Sequence, residues 1–177
     1  NAGYGLYGDA LTHTTQEQLE ILNVNGNCVL ELTLEAARTM IQAKKQGVIL
    51  NVSSVASFYV FPGLAVYSAA KSFVTQVSQA LDIELQPQGI RILVSCPGIV
   101  ATDFARRAAG SAKSIQSSSS MSSEFAAKEI WKQIQKRKAC HIFNWKYRWS
   151  LYLSKLLPAK SLAKILRLSI LQRNITK

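Results

Sequence analysis

The sequence predicts an open, doubly wound parallel α/β sheet with a helical extension at its C-terminal end. Three observations carry this. Residues 48–52 and 90–96 are short, unbroken apolar runs rich in Val and Ile, the pattern of strands buried on both faces. The segments before and between them repeat their apolar residues at helical spacing. Each run is followed closely by residues that break regular structure, and order of helix, strand, helix, strand argues for crossovers onto a parallel sheet.

The elements follow in order. Asn1-Ala2-Gly3-Tyr4-Gly5 is a glycine-rich turn with no strand ahead of it, whereas such turns normally follow one; the N-terminus is read as a truncation. Thr14 or Thr15 offers an N-cap, with Glu17 and Glu20 in the first turns. Leu19, Leu22, Val29, Leu30 and Leu34 then continue an apolar stripe toward Ala43, so one long helix is expected, with Gly26 as the point of interruption. Gly47 ends it before the strand at 48–52. A loop through Pro62-Gly63 leads to a helix over 64–85, Gly89 precedes the strand at 90–96, and Pro97-Gly98 stops that strand. Residues 109–123 are small and Ser-rich, a mobile loop by composition. A helix at 124–136 and a strand at 139–143 are expected next. Residues 145–177 read as two basic amphipathic helices divided at Pro158.

The chain of 177 residues is long enough for one domain with a substantial core. Its net charge of +11 would suggest nucleic acid if it were spread evenly, but it is not. Residues 1–127 hold eight Lys/Arg against nine Asp/Glu, a net of −1, whereas residues 128–177 hold thirteen against Glu129 alone, a net of +12. A general nucleic-acid surface is therefore excluded, and the basic tail needs its own explanation. Cys28, Cys96 and Cys140 are odd in number and far apart, which argues against a disulfide framework or a metal site and fits a cytoplasmic protein. No stretch reaches the roughly 18 apolar residues of a membrane-spanning helix, and the chain does not open on the pattern of a signal peptide.

The chemistry is carried by Tyr67-Ser68-Ala69-Ala70-Lys71. A Tyr and a Lys four apart on a helix share one face, with the ammonium one turn from the phenol. A neighbouring positive charge favours phenolate and brings a group of pKa near 10 toward the range of proton transfer. The spacing alone is weak, because surface pairs supply it often. Its context strengthens it: Ser54 stands thirteen residues earlier, at the C-terminal end of a buried strand, where open α/β sheets place their ligands. Ser53 competes with Ser54, and the thirteen-residue spacing favours Ser54.

From Asn51-Val52-Ser53-Ser54-Val55-Ala56-Ser57 through Tyr67-Ser68-Ala69-Ala70-Lys71 the chain resembles the short-chain dehydrogenase/reductase family. Asn1-Ala2-Gly3 is similar to the end of that family's NNAG turn, Val24-Asn25 to its Val-Asn step, and Pro97-Gly98-Ile99-Val100-Ala101-Thr102 to its PGxVxT segment. The resemblance spans residues 1–105 and implies the C-terminal portion of a Rossmann-like fold. It implies that residues 1–143 form the catalytic part of the domain, with 144–177 as the extension. It further implies Asn25, Ser54, Tyr67 and Lys71 as the catalytic set, with Tyr67 as general acid or base and Ser54 holding the substrate oxygen. Lys71 would lower the Tyr67 pKa and bond the nicotinamide ribose, and Asn25, favoured over Asn23, would anchor a water that relays the proton. The implied cofactor is NADP(H) or NAD(H), with NADP(H) favoured, and no metal. Cofactor contacts fall on Asn1, Ala2, Gly3, Tyr67, Lys71, Pro97, Gly98, Val100 and Thr102, of which Gly98 and Thr102 would meet the nicotinamide amide. The loop after Thr102 is where the family places its substrate lid.

Asn27 and Cys28 depart from the family's pattern and put the local helix geometry in question. His13 and His141 are expected to be ordinary loop or surface residues, and Asp9 and Asp103 solvated carboxylates. The family's TGxxxGxG turn and the residues that choose between NAD and NADP do not occur in the sequence, and are expected upstream of Asn1. The implied substrate is a small ketone or secondary alcohol of apolar character, handled by a protein that can form a homo-oligomer. The rival reading is a non-catalytic interaction or scaffold protein lacking the cofactor half. For the basic tail, two readings compete: peripheral contact with an anionic membrane, or packing of the apolar faces on the sheet with the lysines solvated.

Overall fold

The computed structural model describes residues 1–110, 120–154 and 156–174. Its centre is a three-stranded, wholly parallel sheet in the order β1 (Gly47–Val52), β2 (Ile90–Cys96), β3 (Cys140–Ile142). Gly47 lies opposite Ile90 and Val52 opposite Ser95; Val94 lies opposite Cys140. Ahead of the sheet come α1 (Thr15–Leu22) and α2 (Cys28–Gln42), and α3 (Ala65–Leu85) connects β1 to β2. The short α4 (Phe104–Ala108) and α5 (Ser123–Gln135) lie between β2 and β3, and α6 (Trp145–Ser154) and α7 (Ala159–Asn174) follow. Among the described residues no helix is long and apolar enough to cross a membrane.

The alternation along β2 explains the two helical layers. Ile90, Ile92, Val94 and Cys96 are fully buried and pack with Val29 and Ala37 of α2 and Val74, Leu81 and Leu85 of α3. Ser95 points to the other face, where its hydroxyl bonds the buried Gln133 of α5. The Gln133 amide also donates to Val94 O at 3.0 Å and Lys138 O at 2.9 Å, so α5 is held to the sheet by a satisfied polar group. A second buried polar seam joins α2, β1 and α3: Thr33 donates to Asn51 at 3.2 Å, and Asn51 donates to Ser78 at 3.0 Å.

Local chemistry accounts for the ends of the elements. Thr14 caps α1 in a reciprocal capping box with Glu17. Gly89 takes φ +78 between the 3₁₀ turn that closes α3 and the start of β2, a conformation that only glycine adopts without strain. Asp82, near the end of α3, grips β2 by accepting from Arg91 at 2.7 and 2.9 Å and from Ile92 N at 2.9 Å.

The single long helix expected from the periodicity is two helices joined by a π turn over Asn23–Asn27, closed by Cys28 N donating to Asn23 O. The interruption falls at Gly26 as expected, and its form is a widened turn, not a break. α4 lies where no helix was expected, because five residues are too few to show a period. The Ser-rich lid expected at 109–123 falls largely on 111–119, outside the described residues.

Candidate active site

The site is built where β1 ends and α3 begins. Ser53 and Ser54 point to opposite sides of the strand, which separates their roles. Ser53 is buried; its hydroxyl donates to Lys71 O at 2.8 Å and pairs with Thr75 at 2.7 Å, tying β1 to α3. Ser54 accepts from Ala56 N at 3.1 Å at the start of a 3₁₀ turn over Val55–Phe58, and its hydroxyl is close enough to the Tyr67 phenol to act on its pKa. The thirteen-residue spacing therefore brings Ser54 and Tyr67 together, and Ser53 is left as an internal tie.

Tyr67 and Lys71 lie one turn apart on α3, with the Lys71 ammonium 5.9 Å from the centre of the Tyr67 ring. Lys71 Nζ donates to Val52 O at 3.0 Å. Burial pushes Tyr67 up to about 12, and the Ser54 hydrogen bond pulls against it. Burial also brings Lys71 down to about 8, because an ammonium removed from water loses its hydration. In this arrangement desolvation outweighs the lowering of the Tyr67 pKa expected from the ammonium. The phenol is protonated at neutral pH and the amine still charged.

The glycine turn closes one side of this pair. Both polar groups of the fully buried Asn25 side chain are engaged by Tyr4: Oδ1 accepts from Tyr4 N at 3.1 Å and Nδ2 donates to Tyr4 O at 2.6 Å. Asn23, its competitor in the sequence, is exposed, and its side chain accepts from Asn27 at 3.3 Å. A Cβ on Gly3 would lie 2.7 Å from Asn25 Oδ1 and 3.4 Å from Lys71 Nζ. Bare backbone thus packs against Asn25 and faces the ammonium, an approach that any side chain at position 3 would block. Gly5, which the sequence did not single out, does the same against Tyr67, where a Cβ would come within 3.3 Å of Cδ2. Asn1 is engaged otherwise: its amide donates to Leu50 O at 3.0 Å and accepts from Val52 N at 2.8 Å, filling part of the free edge of β1. Ala2 is exposed in the same turn.

At the Pro97-Gly98 turn, Pro97 O accepts from Val55 N at 2.9 Å, joining the turn to the Ser54 loop. The space beside Gly98 is filled by Tyr147 of α6, whose ring a Cβ there would overlap and whose hydroxyl accepts from Ile99 N at 3.3 Å. Val100 forms an isolated bridge with Met121, and Thr102 is exposed, accepting from Phe104 N at 3.4 Å. Tyr147 lay outside the sequence reading because nothing local to residue 147 points to a turn fifty residues earlier.

Beside Tyr67 opens a cavity of about 240 Å³ lined by Leu6, His13, Ile21, Pro62, Leu64 and Tyr67. Phe104 of α4 stacks obliquely on Tyr67 with ring centres 5.1 Å apart. Tyr7, Leu64, Ala108 and Ile170 of α7 form a small buried cluster behind it. His13 belongs to this cleft, its Nε2 3.1 Å from Tyr7 O. Asp9 is not simply solvated: both its carboxylate oxygens accept from Arg167 at 3.0 Å. Asp103 remains exposed and pairs with Arg106 at 3.1 Å, while His141 pairs with Glu129 at 3.1 Å, far from the Ser54–Tyr67 pair in role and partners.

Comparison with known proteins adds the family. An uncharacterized oxidoreductase of Schizosaccharomyces pombe is 40% identical over 106 residues, covering 59% of this chain and 36% of the relative. Carbonyl reductase (NADPH) 2 of Sus scrofa is 35% identical over 106 residues, covering 60% of this chain and 43% of the relative. The chain thus spans less than half the length of these curated relatives. Among solved structures, a short-chain dehydrogenase from Sphingobium yanoikuyae in complex with NADPH superimposes with a TM-score of 0.76 at 25% identity, over 88% of this chain and 60% of the other. One from Burkholderia phymatum in complex with NAD gives 0.74 at 19% identity, over 86% and 62%. The short chain dehydrogenase family model matches residues 1–112, and with the parallel sheet and the Ser54–Tyr67–Lys71 cluster already in place, the chain belongs to that family.

Proposed function

We propose that this chain carries the proton-transfer side of a nicotinamide-dependent oxidoreductase that interconverts a ketone and a secondary alcohol. The observation that carries the reading is Tyr67 on the wall of a largely apolar cavity, with the Lys71 ammonium 5.9 Å from its ring and the Ser54 hydroxyl acting on its phenol. The nicotinamide, when bound, supplies or accepts the hydride. A carbonyl oxygen brought from the cavity to the Tyr67 phenol would have the Ser54 hydroxyl as its second donor, and negative charge growing on it would be held by both. Tyr67, protonated at neutral pH, then gives its proton to that oxygen; in the reverse direction it takes the proton back. Lys71 stabilises the phenolate so formed and, beside the bare Gly3 backbone, would hold the ribose together with Tyr67. Asn25 positions that turn by clamping Tyr4.

Leu6, Ile21, Pro62 and Leu64 around the cavity favour an apolar substrate. NADP(H) is proposed over NAD(H) because the named carbonyl reductase and the Sphingobium structure are both associated with NADPH. The test is ketone-dependent NADPH oxidation by the polypeptide at its full natural length. Tyr67→Phe should lower turnover by about 10²–10⁴ while leaving the fold intact, since the ring contact with Phe104 survives. Turnover within tenfold of the parent would sink the reading. A second reading, a family member without catalytic turnover, is favoured by the Tyr147 ring beside Gly98; it predicts no oxidation of NADPH with any ketone by a fully folded protein.

A further inference from the structure

Helix α6 has two apolar faces, and only one of them is used by the fold. At about 100° per residue, Tyr147 and Leu151 fall on one side, and both are half-buried. Two hydrogen bonds fix that side to the body: the Tyr147 hydroxyl accepts from Ile99 N at 3.3 Å, and the Ser150 and Tyr59 hydroxyls pair at 2.9 Å. At the margin, Arg148 Nη1 donates to Ile142 O at 3.4 Å. The helix therefore has one orientation, and its opposite face is presented outward by construction.

That outward face holds Trp145, Trp149, Tyr152 and Leu153, which lie within an arc of about 100° and are 59, 59, 69 and 53% exposed. Trp149 and Tyr152 meet edge to face with ring centres 6.5 Å apart, so the stripe is already ordered. Lys146 and Arg148 stand along its two margins, both exposed. No Asp or Glu occurs anywhere after Glu129, so the whole C-terminal segment bears one sign of charge. The turn that follows continues the pattern with Leu156 and Leu157, 76 and 48% exposed.

We propose that the outward face of α6 is a docking surface for an anionic phospholipid bilayer. Indole and phenol rings combine an apolar body with a polar tip, and the membrane–water boundary satisfies both ends at once. Cations at the margins of such a stripe meet lipid phosphates without leaving water, and lysine stems add apolar contact as they do so. A second protein fits less well, since protein interface cores are depleted of lysine and the remainder of this chain, at net −1, offers no acidic excess to match +12. The surface is independent of the reaction proposed for Tyr67.

Flotation of the purified chain with vesicles of phosphatidylcholine, with and without phosphatidylglycerol, tests this. The chain should float with the phosphatidylglycerol vesicles only, with its tryptophan emission shifted to shorter wavelength. The bound fraction should fall about tenfold in the double variant Trp145→Ser, Trp149→Ser and by a smaller factor in Lys146→Glu. These side chains point away from the body, and an unchanged thermal melt establishes that the variants are folded. Failure to float at low salt overturns the proposal. So does flotation that the double tryptophan variant retains in full, which would mean adsorption by net charge alone. A tryptophan-dependent dimer with no vesicle binding would also overturn it, assigning the stripe to contact between copies.

Discussion

Lys71 is the residue at which charge and burial conflict most directly. Its amine titrates at about 8 in the fold against 10.5 in the open chain. Below pH 8 both states are protonated, and the folded chain bears the full cost of a buried ammonium. Between pH 8 and 10.5 the unfolded chain holds more protons than the folded one, so stability rises with pH. Tyr67 opposes this from pH 10 upward, since the unfolded phenol ionises there while the buried one waits until about 12. Cys96, its thiol pushed up by the hydrogen bond with Cys140 and by burial, also opposes the rise from pH 9, so the Lys71 effect is seen most clearly between pH 8 and 9. Urea unfolding across that window should give a gain on the order of 1 kcal/mol, and Lys71→Met should flatten it. A Lys71→Met profile as steep as the parent's would assign the rise to another group. That Lys71 stands one turn from Tyr67 was legible from their spacing on a helix, whereas the nearness of Ser54 was legible only with the strand end and the family resemblance added. Their pKa directions were not, because desolvation depends on what covers them. The Tyr4 clamp on Asn25 and the Tyr147 contact with Gly98 were hidden for the same reason: each is a pairing over a long sequence distance with no local signature.

At the level of elements, strands and long helices followed their periods closely. β2 matches its apolar run, α3 starts one residue after the expected position, and α5 begins at Ser123 after Ser122 caps it. The C-terminal helices divide at Pro158 as the sequence suggested. What periodicity did not show is how they dock. Ile170 of α7 is 1% exposed, and a Cβ on Gly63, at φ +83, would come within 3.0 Å of it. With the Arg167–Asp9 ion pair, itself exposed and weak, Ile170 attaches α7 beside the Tyr67 cleft. Ile170→Ala should cost about 2–4 kcal/mol and raise amide exchange selectively in α7, with β1 and β2 protected as before. Uniform loss of protection would show that α7 folds as one unit with the sheet.

For the molecule as a whole, the division of charge and the division of chemistry coincide. The near-neutral part holds β1, β2 and the proton-transfer residues; the basic part begins within α5 and runs through β3 and α6 to α7. Among the described residues no strand pairs with the outer edge of β1, where the Asn1 amide satisfies Leu50 O and Val52 N. The sequence contains no TGxxxGxG turn, and so no glycine-rich helix start of the kind that receives a pyrophosphate. NADPH titrated into the isolated 177-residue chain should therefore give no saturation of tryptophan fluorescence at micromolar concentration. Clear saturation there would mean that Gly3, Lys71 and Tyr67 suffice to hold the dinucleotide. The fold class was readable from two strands and their crossovers, whereas the path of α6 and α7 over the body was set by contacts that composition does not encode.

The π turn at Asn23–Asn27 has a consequence for how this chain can vary. Ile21, Asn25, Val29, Thr33 and Ala37 are all buried at intervals of four, and in a continuous α-helix each such step slips roughly 40° around the axis. The wider turn absorbs slippage at the point where Asn25 must face Tyr4. Its extra residue acts as a phase correction between α1 and α2. This stretch is consequently locked in length more tightly than in composition: exposed Asn23 or Asn27 can change identity, but removing either would rotate one helix against the other and carry Asn25 away from the turn it clamps.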